Sequence, residues 1–121
     1  IDDEIVLEIE CKAYTENAMF KRILVDATLL KTIYPKMQFV LLQLESQLGG
    51  DFSELKKVTF GSTSTHTLLS YFDIDLHIIT LLEGERLVDK PIHKSEFFKP
   101  LTKESLEKAV DIFAEILREY I

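Results

Sequence analysis

The sequence contains little that would cross-link a chain or carry it through a membrane. It has a single cysteine, Cys11, in 121 residues, so neither an internal disulfide nor a multi-cysteine zinc site can form. Such cysteine usage favours a reducing compartment, and we expect the cytoplasm. No stretch approaches 18 consecutive apolar residues, and no basic lead-in opens the chain, which predicts no transmembrane span and no signal peptide.

Breakers of regular structure and excess positive charge are scarce as well. Four glycines and three prolines leave no linker or low-complexity tract, so we expect one domain over residues 1–121. The 14 basic residues are outnumbered by 21 acidic ones, giving a net charge of −7. This balance excludes histone-like or tail-like nucleic-acid binding, but it is compatible with a nucleic-acid enzyme that has local basic segments.

The first half of the chain has the pattern of a crossover unit. Residues 5–12 alternate between apolar and polar side chains, which predicts a half-buried strand. Thr15 is a candidate N-cap for an amphipathic helix from Ala18 onward, which Pro35 should end. The dense apolar run at 37–45 predicts a buried second strand. Strand, helix and strand in this order predict a right-handed crossover between parallel neighbours.

The second half is less regular but completes an α/β pattern. We expect a short helix at 51–57, a polar loop at 61–67, a third strand at 73–82 and a final helix capped by Thr102. The final helix should bury one apolar stripe, formed by Leu106, Ala109, Val110, Phe113, Leu117 and Tyr120.

One short charged motif could carry chemistry. On a strand, Glu8, Glu10 and Lys12 share one face, about 7 Å from one to the next. Carboxylates beside an ammonium suit a hard divalent cation such as Mg²⁺, with the lysine orienting a water near it. The alternative is a solvent-facing strand whose charges pair as surface ions. Cys11 faces the other way and is interpreted as a small core residue.

These residues resemble a known nuclease superfamily. The segment LEIECKAY at 7–14, the helix with Lys21 and Arg22, and the strand at 39–44 are similar to the PD-(D/E)XK nucleases, and more narrowly to type II restriction endonucleases. The resemblance implies a restriction-endonuclease-like mixed sheet with a crossover helix and a C-terminal helix. It also implies an endonuclease that cuts double-stranded DNA as a homodimer or heterodimer.

The resemblance further implies roles for individual residues. Glu10 and Lys12 would form the E-x-K half of the catalytic motif. Mg²⁺ would be held by Glu10, the backbone carbonyl of Cys11 and an upstream aspartate, with Glu8 as a second-metal ligand or a supporting residue. Lys12 would position the attacking water and stabilise the charge that develops in an in-line displacement.

The upstream aspartate that this resemblance requires has no evident candidate. Asp3 is seven residues from Glu10, which is roughly 23 Å along an extended strand, whereas ligands of one ion lie within a few ångströms of each other. We therefore expect neither Asp2 nor Asp3 to serve, and expect the chain to be the C-terminal part of a longer protein. The alternative function is a non-catalytic α/β binding or assembly subunit that keeps the nuclease fold.

Two kinds of segment could contact DNA. Lys21 and Arg22 in the first helix, and the basic segment at 86–103 with Lys94 and Lys99, are candidates for phosphate contacts. In the hydroxyl-rich segment at 61–67, Thr65 and His66 are candidates for base contacts. The alternative in each case is ordinary solvated surface.

Overall fold

The computed structural model of the chain describes residues 3–50, 52–53, 58–59 and 61–120. The strands are β1 (Leu7–Glu16), β2 (Gln38–Gln47), β3 (Phe52–Ser53), β4 (Val58–Thr59) and β5 (Leu76–Thr80). The helices are α1 (Asn17–Ile33), α2 (Thr63–Tyr71), a 3₁₀ turn (Ser95–Phe97) and α3 (Lys103–Arg118).

A three-stranded sheet in the order β1-β2-β5 forms the centre of the fold. Both strand pairs are parallel, and one row of the sheet runs from Glu10 through Leu41 to Ile78. The predicted parallel pairing of β1 with β2, joined by α1, and the α/β class are therefore confirmed. The antiparallel pair in the described chain is β3 with β4, which forms a separate two-stranded sheet.

Helices cover both faces of the central sheet. On one face α1 packs against β2 and β5 through the buried residues Phe20, Ile23, Leu24, Leu41 and Ile78. On the other face α3 packs against the same two strands through Val40, Ile79, Ala109 and Ile116. Since the apolar core lies over β2 and β5, β1 lies at its margin.

The start of α1 differs from the prediction. Thr15 is fully buried in β1 and does not cap the helix, so the predicted N-cap is wrong. Residue Glu16 occupies the N-cap position without a side-chain hydrogen bond, because the pairing of β1 with β2 continues as far as Glu16 opposite Gln47. The predicted end is confirmed: α1 stops at Ile33, two residues before Pro35.

The predicted loop at 61–67 is wrong. Ser62 caps α2 by accepting a hydrogen bond from the Thr65 backbone N–H at 3.2 Å, which is what serine does well at a helix start. Leu68 and Leu69 then pack against the core. Tertiary contacts thus make a helix of a segment whose composition is typical of loops.

Two other predictions in this half need correction. Within 51–57, Phe52–Ser53 is a strand rather than a helix, and residues 51 and 54–57 lie outside the described part of the chain. The third predicted strand is confirmed but is shorter than 73–82, since β5 spans Leu76–Thr80.

Helix α3 begins as predicted but buries a different stripe. Thr102 accepts a hydrogen bond from the Ser105 backbone N–H at 3.1 Å. Leu106 is 44% exposed and Val110 is 63% exposed, so the predicted stripe is wrong at these two positions. The residues that do pack on the sheet follow the spacing i, i+3, i+4, i+7: Ala109, Ile112, Phe113 and Ile116.

None of the helices in the described chain is both long enough and apolar enough to cross a membrane.

Candidate active site on the edge strand

Strand β1 is an edge strand within the described chain, since it pairs with β2 alone. Its polar face carries Glu8, Glu10 and Lys12, which stand opposite Phe39, Leu41 and Gln43 of β2. The predicted sharing of one face is therefore seen in the fold. The edge position keeps the motif accessible. The side chains of Glu10 and Lys12 are 36% and 35% exposed.

The motif concentrates negative charge around one lysine. Lys12 Nζ lies 3.6 Å from Glu10 Oε1. Partial burial raises the pKa of the Glu8 carboxyl above its ordinary value of 4.5, and the charge of Glu10, a hydrogen bond with Glu10 and the charge of Asp26 raise it further. Glu8 therefore lies near two other acidic groups, whereas Lys12 pairs with Glu10, and a further cation would be attracted to the carboxylates of this face.

The donor chemistry fits a hard divalent cation, but the set of donors is incomplete. Two carboxylates from Glu8 and Glu10, together with a backbone carbonyl, are the oxygen ligands that Mg²⁺ prefers. The described residues contain no group of three or more His, Cys, Asp or Glu side chains that would hold a metal. Asp3 lies in a turn before β1 with φ of 64°, and Asp2 lies outside the described residues. The described residues therefore offer oxygen donors that fit such a cation, but fewer acidic side chains than a complete site would need.

Cys11 does not lie in the core, so that interpretation is wrong. The residue is exposed on the opposite face of β1, and the neighbouring Ile9 on that face is 41% exposed. The reason is the position of α3, which packs against β2 and β5 and leaves the outer part of the edge strand uncovered.

Polar residues of β2 lie beside Lys12 on the same face, and the sequence pattern alone does not reveal them. Gln43 stands between Lys12 and Thr80 in one row of the sheet. It is 1% exposed and donates a hydrogen bond from Nε2 to Thr80 Oγ1 at 3.0 Å. Glu45 is 5% exposed and accepts a hydrogen bond from Lys99 Nζ at 2.5 Å. The dense apolar character of 37–45 hid both residues, because only the register of the sheet shows that they share the face of Lys12.

A second cationic side chain makes contacts where β1 and β2 end. The guanidinium of Arg86 lies 3.7 Å from the centre of the Tyr14 ring and donates a hydrogen bond from Nη1 to Gln47 Oε1 at 2.6 Å. Lys99 Nζ also lies 3.3 Å from the Glu85 carbonyl oxygen. The segment that follows β5 is thereby anchored on the same face as the charged motif.

The residues predicted to contact DNA differ in how accessible their side chains are. Lys21 and Arg22 are exposed on α1, and Lys94 is exposed before the 3₁₀ turn. Lys99 is 26% exposed and engaged by Glu45, so it is a poorer candidate for a phosphate contact. His66 is exposed on α2.

Thr65 cannot contact a base in this fold, so that prediction is wrong. Its side chain is fully buried. Its hydroxyl lies 2.6 Å from Asn17 Oδ1 and 2.9 Å from the Leu48 carbonyl oxygen. The residue ties the start of α2 to the start of α1 and the end of β2.

Comparison with known proteins connects this fold to DNA-cutting enzymes. The chain is 62% identical over 120 residues to the type II restriction enzyme DdeI of Desulfomicrobium norvegicum (strain DSM 1741 / NCIMB 8310). The match covers 98% of this chain and 50% of the relative, so the chain spans about half the length of the curated relative it matches. No family model matches, and no solved structure matches at a significant level. The predicted resemblance is confirmed: the chain is homologous to about half of a type II restriction enzyme.

Proposed function

We propose that the chain is part of a Mg²⁺-dependent endonuclease that hydrolyses phosphodiester bonds of double-stranded DNA. The observation that carries this proposal is the placement of Glu10 beside Lys12 on the accessible face of an edge strand, in a chain homologous to half of a restriction enzyme. The raised pKa of Glu8, caused first by burial and then by the charge of Glu10, supports it, since a divalent cation would stabilise the ionised carboxylates.

Glu10 is the proposed principal ligand of the metal, with the Cys11 carbonyl and Glu8 as further oxygen donors. The described chain holds no third acid at this site, and we propose that a carboxylate from outside the described residues completes it. When bound, Mg²⁺ would polarise the scissile phosphate and lower the pKa of an attacking water.

Lys12 is the proposed catalytic cation. Its ammonium group has three donors and no acceptor, so it can orient the oxygen of an attacking water and stabilise charge on a phosphoryl oxygen. This stabilisation grows as the in-line displacement proceeds, which is what makes it catalytic. The ion pair with Glu10 keeps the ammonium at the site before DNA arrives.

DNA would be held by cations around this site. Lys21, Arg22 and Lys94 are exposed and are proposed to contact phosphates, with Lys99 contributing less because of its ion pair with Glu45. His66 remains a proposed base contact at the surface of α2. A homodimer or heterodimer would bring two such sites to the two strands of a duplex.

The test is cleavage of plasmid and long phage DNA by the complete protein, with Mg²⁺, with Ca²⁺ and with a chelator. Glu10→Ala and Lys12→Ala should abolish or strongly reduce cutting. The matched controls are Glu104→Ala and Lys108→Ala, which break an exposed ion pair of 3.1 Å on α3 and should leave cutting unchanged. DNA binding without cutting under every metal condition would instead identify a non-catalytic binding subunit.

A further inference from the structure

The amide oxygen of Gln43 is a buried polar atom that no donor among the described residues engages. The side chain is 1% exposed, and its amide nitrogen donates a hydrogen bond to the hydroxyl of Thr80. Within the described chain, Gln43 Oε1 has no hydrogen-bond partner. A buried carbonyl oxygen left unpaired costs free energy, and an apolar side chain of the same size would avoid this cost. A hydrogen-bond donor that reaches this oxygen during the reaction would remove the cost.

Lys12 is the candidate donor that the register of the sheet places beside Gln43. It stands directly opposite Gln43 in the parallel register of β1 and β2, so the two side chains leave the same face about 5 Å apart. The four-carbon stem of a lysine spans such a gap, and its ammonium has only donors. Thr80 on β5 engages the amide from the other side, which leaves the oxygen for the β1 side.

In the proposed reaction, Lys12 would lose its present ion-pair partner. Its ammonium lies 3.6 Å from Glu10 Oε1, and in the proposed function that carboxylate turns to a divalent cation. The ammonium then needs another acceptor to stay in place beside the reacting phosphate, since an unanchored lysine has many rotamers.

We propose that Gln43 is a positioning residue for Lys12: its buried amide oxygen accepts a hydrogen bond from the ammonium when Glu10 is engaged by the metal. This inference rests on the proposed endonuclease function and adds a residue to it. Thr80 holds the amide nitrogen, so the oxygen is preoriented and little order has to be created at the moment of reaction.

The test compares four single variants of the complete protein, Gln43→Met, Gln43→Glu, Gln47→Met and Lys12→Ala, with the double variant Lys12→Ala, Gln43→Met. Gln43→Met keeps the volume and removes the acceptor, whereas Gln43→Glu keeps an acceptor that Thr80 can still engage. Gln47→Met is the matched control, because Gln47 lies on the same strand and face but serves Arg86. Single-turnover cleavage in Mg²⁺ is measured for each variant, together with DNA affinity in Ca²⁺ and urea unfolding.

We expect Gln43→Met to slow the cleavage step by about 10-fold to 100-fold, the usual effect of losing a residue that orients a catalytic group. DNA affinity should be unchanged, Gln43→Glu should stay within about threefold of the native rate, and Gln47→Met should cut normally. In a Lys12→Ala background, Gln43→Met should cause no further loss, because the residue acts through Lys12.

Two results would overturn the inference while leaving the endonuclease intact. One is native cleavage by a folded Gln43→Met protein. The other is an equal loss from Gln43→Met with and without Lys12, which would show a general effect on packing. Absence of Mg²⁺-dependent cutting by the native protein, or normal cutting by Lys12→Ala, would overturn the proposed function and this inference together.

Discussion

The ion pair between Lys99 and Glu45 gives a sharp test of how the sheet and the following segment are held together. Glu45 is 5% exposed and the Lys99 side chain is 26% exposed, with 2.5 Å between Nζ and Oε2. Replacing Lys99 with methionine keeps most of the aliphatic stem and leaves a carboxylate buried without its cation. The pair is thus broken without opening a cavity.

The size of the effect follows from burial. Removing one partner of a fully buried ion pair costs about 3–5 kcal/mol, and a hydrogen bond to a charged group contributes about 1.5–3 kcal/mol. Water reaches Lys99, so we expect Lys99→Met to lower the free energy of unfolding by about 2–3 kcal/mol. For a chain of this length that corresponds to a fall in Tm of roughly 10 °C. The double variant Glu45→Met, Lys99→Met should recover most of the loss, since no charge is left stranded.

Urea unfolding followed by circular dichroism measures these differences directly. Lys94→Met is the control, because Lys94 is exposed in the same segment and its replacement should stay within about 0.5 kcal/mol of the native protein. If Lys99→Met and Lys94→Met are equally stable, the pair has no structural role and Lys99 is free to serve as a phosphate contact. A double variant less stable than Lys99→Met would refute the argument from the stranded carboxylate.

Three further predictions concern the site itself. Lys12→Ala should cut DNA about 100-fold or more slowly while keeping its urea midpoint and its DNA affinity; a near-native rate would remove Lys12 from the proposed chemistry. Burial and Glu10 raise the pKa of Glu8, so the folded state binds the carboxyl proton more tightly than the unfolded state. The free energy of unfolding therefore falls as the pH rises from the ordinary pKa of Glu8 to its raised value. Glu8→Gln should therefore raise the free energy of unfolding at neutral pH and leave it unchanged near about pH 3, as urea titrations at both values would show. Lys94→Ala should reduce the slope of log affinity against log salt by about one for all DNA sequences in Ca²⁺; an unchanged slope would place Lys94 away from the phosphates.

The sequence predicted what depends on local pattern. Alternation at 5–12, the helical spacing after Ala18 and the stop at Pro35 each arise from the geometry of a few neighbouring residues. The parallel pairing of β1 with β2 then followed from the length of the intervening helix. The placement of Glu10 and Lys12 on one face needed nothing beyond the two-residue repeat of a strand, whereas their accessibility depends on the edge position of β1 in the described sheet.

The sequence could not predict what depends on distant contacts. Residues 61–67 have weak helix propensity, and the helix there is fixed by the contacts of Thr65 with Asn17 and Leu48. Glu45 pairs with Lys99, which is 54 residues away in the sequence, and no periodic pattern predicts this contact. Gln43 was missed for the same reason: its place beside Lys12 is a matter of register, which long-range pairing sets.

The charges of β1 have a second explanation besides the proposed catalytic one. Charged side chains on an exposed edge strand prevent two sheets from pairing edge to edge, so Glu8, Glu10 and Lys12 would protect β1 whatever else they do. Protection alone is best served by well-separated, fully solvated charges. Here burial first, and then the charge and hydrogen bond of Glu10 and the charge of Asp26, raise the pKa of Glu8, so this carboxyl is neither fully solvated nor well separated from other acids. Perturbed groups of this kind cluster at functional sites, which favours the proposed metal-binding role of these acids over protection of the edge alone.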